Sequence, residues 1–185
     1  MEYKIFKIFA AGSYEKEERW LNQMAAKGLN LVKAVGFSYT FADGTPGEYT
    51  YRLELLQNVP NHPESAKYME FLAETGIEHV ASYMRWVYLR KKKADGDFEL
   101  YSDLPSKLSH YKRIITLIWI ASIVPISQIF TNATHLIQHF EDSGDRTIYF
   151  TFLSMMIATF LILHISIIPI YKAIFKLKKD MIIQE

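Results

Sequence analysis

No aspartate, glutamate, lysine or arginine occurs between Arg113 and Glu141, nor between Arg146 and Lys172. Two charge-free windows longer than about 20 residues are what a bilayer requires of two spanning helices. Composition alone would hide this, because the chain is 50% apolar and 22% charged with a mean hydropathy near zero. The charge is concentrated in residues 1–105, which hold 13 Lys/Arg and 15 Asp/Glu.

The first expected span, residues 114–130, carries ten Ile, Leu, Val and Phe residues, with Thr116, Ser122, Ser127, Gln128 and a central Pro125. The second, residues 148–171, carries thirteen, with Pro169 near its end. On an insertion scale these contribute roughly −3 to −6 and −4 to −8 kcal/mol. Each proline frees a backbone carbonyl and can kink its helix. Lys107, Lys112 and Arg113 precede the first span and Lys172, Lys176, Lys178 and Lys179 follow the second, whereas the connection 131–147 carries only Arg146. The positive-inside rule then expects a multi-pass protein of the cell membrane, with both termini cytoplasmic and 131–147 outside. The N-terminus lacks the apolar h-region of a secretory signal, in keeping with a cytoplasmic first domain.

Residues 1–105 switch between period two and period 3.6. Tyr3 to Phe9 is strand-like, and Ser13 is expected to cap a helix whose Glu15, Glu17 and Glu18 suit its positive end. Trp20, Leu21, Met24 and Ala25 recur at helical spacing, and Gly28 closes the helix. Strand character follows over 29–35, 38–41 and 48–56, with 43–47 (Asp-Gly-Thr-Pro-Gly) read as a hairpin turn between the last two. A helix is expected over 63–75, stopped by Gly76, then strands at 78–81 and 83–90. The order βαβββαββ implies an α+β domain with an antiparallel sheet, for which a ferredoxin-like arrangement is the candidate topology. Residues 106–113 then form a linker, and 172–185 a basic tail.

Several strings are similar to the bacterial Domain of Unknown Function 2812 family: Tyr14-Glu-Lys-Glu-Glu-Arg-Trp-Leu21, Met24-Ala-Ala-Lys-Gly-Leu-Asn-Leu31, Tyr39-Thr-Phe41 and Gly47-Glu-Tyr-Thr-Tyr-Arg-Leu53. Met69-Glu-Phe-Leu72 with Gly76 and Phe98-Glu-Leu-Tyr-Ser-Asp103 continue the likeness over about the first hundred residues. Ile77 departs from the tryptophan common at that point, a change of packing. The resemblance implies a bacterial protein whose genes often neighbour PadR-type regulators, and brings no catalytic residues with it.

The chemistry open to the chain is limited. It has no cysteine, so disulfides and thiolate chemistry are excluded. A net charge of +1 on a slightly acidic first domain disfavours nucleic acid. No glycine-rich phosphate loop, Ser–His–Asp ordering or paired-carboxylate signature occurs, so no enzyme and no cofactor is expected. His135, His139 and Asp142 share one helical face and form a weak metal candidate, outweighed by an interfacial segment. His164 is an ionisable group within a span and is expected to bond across the helix pair towards Ser122 or Ser127. The aromatics Trp20, Tyr39, Phe41, Tyr49, Tyr51 and Trp86 are either core or the face that meets a ligand or protein partner. Two functions follow: a membrane-anchored regulatory or adaptor domain that binds a protein or small ligand, or an accessory or immunity subunit of a membrane transporter. The bilayer, and with it another membrane protein, are the expected partners.

Overall fold

The computed structural model describes residues 1–101, 103–138 and 143–184. The elements run β1 (Glu2–Phe6), α1 (Tyr14–Ala26), β2 (Leu29–Val35), β3 (Ser38–Asp43), β4 (Tyr49–Leu55), α2 (Pro63–Glu74), β5 (Ile77–Tyr83), β6 (Trp86–Lys92), α3 (Leu104–Gln138), α4 (Ser143–Ser166) and α5 (Ile168–Gln184). They divide into two compact units, one of residues 1–9 and 13–113, the other of residues 10–12 and 114–185.

The first unit is α+β, with six strands in two antiparallel sheets ordered β1-β3-β2 and β4-β6-β5. Each sheet comes from a consecutive β-α-β-β segment, so the unit is an internal duplication. Leu29 pairs with Asp43 in the first sheet and Ile77 with Lys91 in the second, a constant offset of 48 residues. The irregularities repeat too: β2 bulges between Leu31 and Lys33, and β5 between His79 and Ala81. Gly36 (φ 58°) turns the first terminal hairpin, and Met84 (φ 55°) turns the second.

This arrangement corrects three expectations. The ferredoxin-like topology gives way to two sheets of three strands. Residues 43–47 do not form a hairpin, since β3 pairs with β1 and β2 while β4 pairs with β6. The Gly44 N–H donates to the Gly28 carbonyl (2.8 Å) and the Gly47 N–H to the Ala25 carbonyl (2.8 Å). The turn is thus tied to the end of α1 and passes the chain to the second sheet. Ser13 stands at the N-cap position of α1 as expected, but it ends a short 3₁₀ turn and its side chain makes no capping hydrogen bond. At α2, the His62 ring accepts from the Glu64 N–H (3.3 Å), with Pro63 opening the helix.

Burial follows the strand alternation. Tyr49, Tyr51, Leu53 and Leu55 of β4 are buried, and α1 packs Leu21, Met24 and Ala25 inward. A second cluster joins Leu72 of α2 to Ile77, Val87 and Leu89, closed by Leu56 and Phe98. The helix α1 lies against β4 and β2, α2 against β5, and β2 lies beside β5.

The second unit is helical. From Ile114, α3 continues to Gln138 and spans roughly 37 Å at 1.5 Å per residue. That exceeds the 17-residue span expected, and Pro125 sits inside an uninterrupted helix. Near Pro169 the outcome is different: α4 ends at Ser166 and α5 starts at Ile168. The missing N–H and the clash of the proline ring with the preceding turn account for this break. Helix also occupies 131–138 and 143–147, most of the stretch expected to be a loop, and α5 carries the basic residues of the expected tail. Trp119 of α3 meets His164 of α4 edge-on at 4.8 Å, and His135 stacks on Tyr149 at 5.1 Å. These two contacts make α3 and α4 an antiparallel pair.

Candidate ligand cleft

Helix α1 presents carboxylates where its apolar stripe would continue. Tyr14, Glu17, Glu18, Leu21, Met24 and Ala25 follow the i, i+3, i+4, i+7 spacing of a buried face. Glu17 is buried, and its Oε1 accepts from the hydroxyls of both Tyr39 (2.7 Å) and Tyr88 (2.7 Å), one from each half of the duplication. Burial raises its carboxyl pKa, against the pull of the two tyrosines. Glu18 Oε1 accepts from the Leu53 N–H (2.8 Å). Burial pushes this carboxyl up to about 7, opposed by that N–H and by the charge of Arg52. Both residues thus serve as interior acceptors, beyond the helix-end role expected of them.

Asn22 completes the seam between α1 and β4. Its Oδ1 accepts from the Tyr51 N–H (2.8 Å), and its Nδ2 donates to the Tyr51 carbonyl (3.0 Å). Because β4 is a sheet edge, its outward backbone groups are met by helix side chains in place of another strand.

The first turns of α3 belong to this same unit. Tyr111 Oη donates to Glu15 (3.2 Å), and Arg113 Nη2 to the buried Glu54 (3.3 Å), which also accepts from the Tyr68 hydroxyl (2.8 Å). Residues 106–113, expected as a linker, are therefore helix docked on the α+β unit. His110 is fully buried between the rings of Tyr14 (5.2 Å) and Tyr101 (5.2 Å), with Trp86 at 6.2 Å. Among the described residues, neither of its ring nitrogens has a hydrogen-bond partner. Burial and the Arg113 charge hold its pKa down to about 3, so the imidazole is neutral.

Between α1, β4, the segment after β6 and α3 lies a cleft of about 290 Å³. Tyr14, Glu15, Glu18 and Arg19 of α1 line it, facing Arg52 and Leu53 of β4. Glu99, Leu100 and Tyr101 form a further wall, and Lys107 of α3 completes it. A smaller cleft of about 180 Å³ lies between Leu56, Ser65, Tyr68 and Arg113. The larger one offers acidic and basic groups beside Tyr14 and Tyr101, an arrangement suited to binding a small polar molecule.

The aromatics singled out from the sequence lie elsewhere. Tyr39, Phe41, Tyr49 and Tyr51 are core residues. Trp20 packs edge-on against Tyr39 (4.9 Å) and Phe41 (5.5 Å), and Trp86 meets Tyr14 in a tilted contact (5.7 Å). None of the six lines the larger cleft. His139 and Asp142 lie outside the described residues, and among the described residues no group of three or more His, Asp or Glu side chains is placed to hold a metal. Ser122 and Ser127 donate to carbonyls of their own helix, Ile118 (2.7 Å) and Val124 (2.8 Å). His164 Nδ1 likewise donates to Phe160 (2.9 Å), so His164 reaches across the pair by a ring contact with Trp119 in place of the expected hydrogen bond. Arg52, Tyr101 and His110 escaped sequence reasoning, and Glu18 and Lys107 were read only as a helix-end charge and a flank of the first span; two carboxylates on a buried helical stripe were the available signal.

A family model described as Protein of unknown function (DUF2812) matches residues 13–124. The chain belongs to the DUF2812 family. The match runs from the turn before α1 into the apolar part of α3, so it contains every residue that lines the larger cleft. The DUF2812 region thus includes both the α+β unit from α1 onward and the start of the first long apolar helix. No curated protein and no solved structure matches the chain.

Proposed function

We propose that this protein is a membrane-anchored binding protein, in which a cytoplasmic α+β unit takes a small polar ligand and the apolar helices anchor it with a regulatory role. The observation that carries this reading is the double membership of α3. Its first turns supply Lys107 to the cleft, Tyr111 to Glu15 and Arg113 to Glu54, and the same helix then runs on without a charge. A ligand that shifts the cleft walls would act directly on the seating of that helix.

Two further observations support the anchoring. Leu104–Gln138 and Arg146–Lys179 are long and apolar enough to cross a membrane, yet only 22% and 17% of their most apolar windows are buried. The core helix of a soluble protein would be mostly buried, whereas outward-facing apolar side chains such as Ile120, Ile123, Phe150 and Ile162 suit lipid. The basic residues on either side favour the cytoplasmic placement of the first unit and of α5.

Purification of the full chain from its native membranes, followed by mass spectrometry of the small molecules released on denaturation, tests the reading. Wild type is expected to carry a compound that Arg52→Gln and Glu18→Gln preparations lack. Identical profiles for all three would contradict it.

A further inference from the structure

The larger cleft gathers six ionisable side chains: Glu15, Glu18 and Glu99 against Arg19, Arg52 and Lys107. Opposite charges around one concavity ordinarily collapse into ion pairs. Here, among the described residues, no ion pair within 4.0 Å joins any of the three carboxylates to any of the three cations. The ion pairs present lie elsewhere, at Met1–Asp43, His62–Glu64, Arg90–Glu78 and Arg113–Glu54. Backbone and ring contacts help hold the deeper charges apart. Glu18 is fixed through Oε1 by the Leu53 N–H (2.8 Å), and Arg52 donates through Nη1 to the Tyr51 carbonyl (3.2 Å) with its guanidinium over the Phe98 ring (5.9 Å). Among the described residues, Glu18 Oε2 and the other nitrogens of Arg52 make no hydrogen bond, and both residues line the cleft.

An anion would meet the carboxylates of Glu15 and Glu99 and a cation the three basic groups, whereas a ligand bearing both charges meets a partner at each end. The guanidinium fork suits a carboxylate, and a carboxylate suits an ammonium. A volume of about 290 Å³ limits the ligand to the size of a small metabolite.

We propose that the cleft binds a small zwitterionic amino carboxylate, of amino-acid to dipeptide size, with Arg52 receiving its carboxylate and Glu18 its ammonium. This rests on the reading of the cleft as a ligand site and specifies the ligand's chemistry.

The test uses the full chain in phosphatidylglycerol nanodiscs, titrated with the free L-amino acids and a set of glycyl dipeptides, each beside its N-acetylated and C-amidated form. Binding is read by thermal shift and calorimetry. At least one free zwitterion is expected to bind, and blocking either end to weaken it tenfold or more. Glu18→Gln, which keeps an acceptor for the Leu53 N–H, removes the penalty for N-acetylation; Arg52→Gln removes the penalty for amidation. Lys107→Gln at the exposed rim provides a second variant whose folding is not at stake, and is expected to weaken binding severalfold. If blocked and free forms bind alike and the substitutions still abolish binding, the zwitterion assignment is overturned while the cleft stands as a ligand site. If no probe binds, or binding ignores all three substitutions, the assignment is overturned as well. The native-membrane profile then decides separately whether the cleft carries another molecule.

Discussion

Asn22 and Glu18 meet the free edge of β4 with three hydrogen bonds, to the N–H and C=O of Tyr51 and the N–H of Leu53. Truncation of Asn22 leaves the Tyr51 N–H of an inner seam without a protein partner, while the Tyr51 carbonyl keeps only the Arg52 guanidinium (3.2 Å), at roughly 1–3 kcal/mol for an unsatisfied buried group. Asn22→Ala is therefore expected to lower the unfolding free energy by about 2 kcal/mol in denaturant titration; an unchanged midpoint would contradict the bridging role. Titration gives a second residue-scale prediction. Glu18 ionises at about 7 in the folded chain against an ordinary 4.5. Between those values the folded state holds more protons than the unfolded one, so the stability from protonated Glu18 is complete below pH 4.5 and lost as pH rises through about 7. His110 has the opposite sign. Its folded pKa of about 3 lies below the ordinary 6.5, so its contribution is complete above pH 6.5 and lost as pH falls towards 3. The two slopes oppose each other between pH 4.5 and 6.5, and Glu18 governs the stretch just above. Glu18→Gln should flatten the loss of stability between pH 6.5 and 7.5 in melting curves; an undiminished loss would rule out Glu18 as its source. The glutamates themselves were plain in the sequence. Their burial was not, because a run of acids at a helix start has a ready explanation in the helix dipole.

The elements were largely legible, and their pairing was not. Alternation along β4 and the glycines after both helices marked where strands and helices lie. The duplication stayed hidden because equivalent positions share backbone geometry more than side chains: Leu31 matches His79, Gly36 matches Met84, and Ser38 matches Trp86. The hairpin turns make that geometry testable. Met84 holds φ 55° where its counterpart is a glycine, and it is mostly exposed, so its side chain has little packing to lose. A left-handed conformation costs an L-residue roughly 1–2 kcal/mol, partly offset by the larger unfolded-state entropy of glycine. Met84→Gly is expected to raise stability by up to about 1 kcal/mol, whereas Gly36→Ala lowers it by about as much. Destabilisation by Met84→Gly in chemical denaturation would show that the two turns are not equivalent. In the helices, the charge gaps located both apolar stretches, but only the structure distinguishes Pro125, carried within an uninterrupted helix, from Pro169, which accompanies a break.

Across the whole molecule, the account joins a duplicated α+β unit to a pair of apolar helices through one continuous helix, α3. The membrane part of that account was visible in the sequence from the charge gaps and the basic flanks alone. The cleft was not, since its walls come from four segments separated by up to about ninety residues, and no local pattern announces their meeting. The chain contains no cysteine, so single substitutions at exposed positions report their own side of the membrane. Gln23→Cys on α1, Ile137→Cys near the end of α3 and Lys178→Cys on α5 sample the three regions. With a membrane-impermeant maleimide, Ile137→Cys is expected to react in intact cells, and Gln23→Cys and Lys178→Cys only after the membrane is opened. Labelling of Gln23→Cys in intact cells, or recovery of the chain in the soluble fraction after an alkaline wash, would contradict the membrane-anchored, inward-facing arrangement.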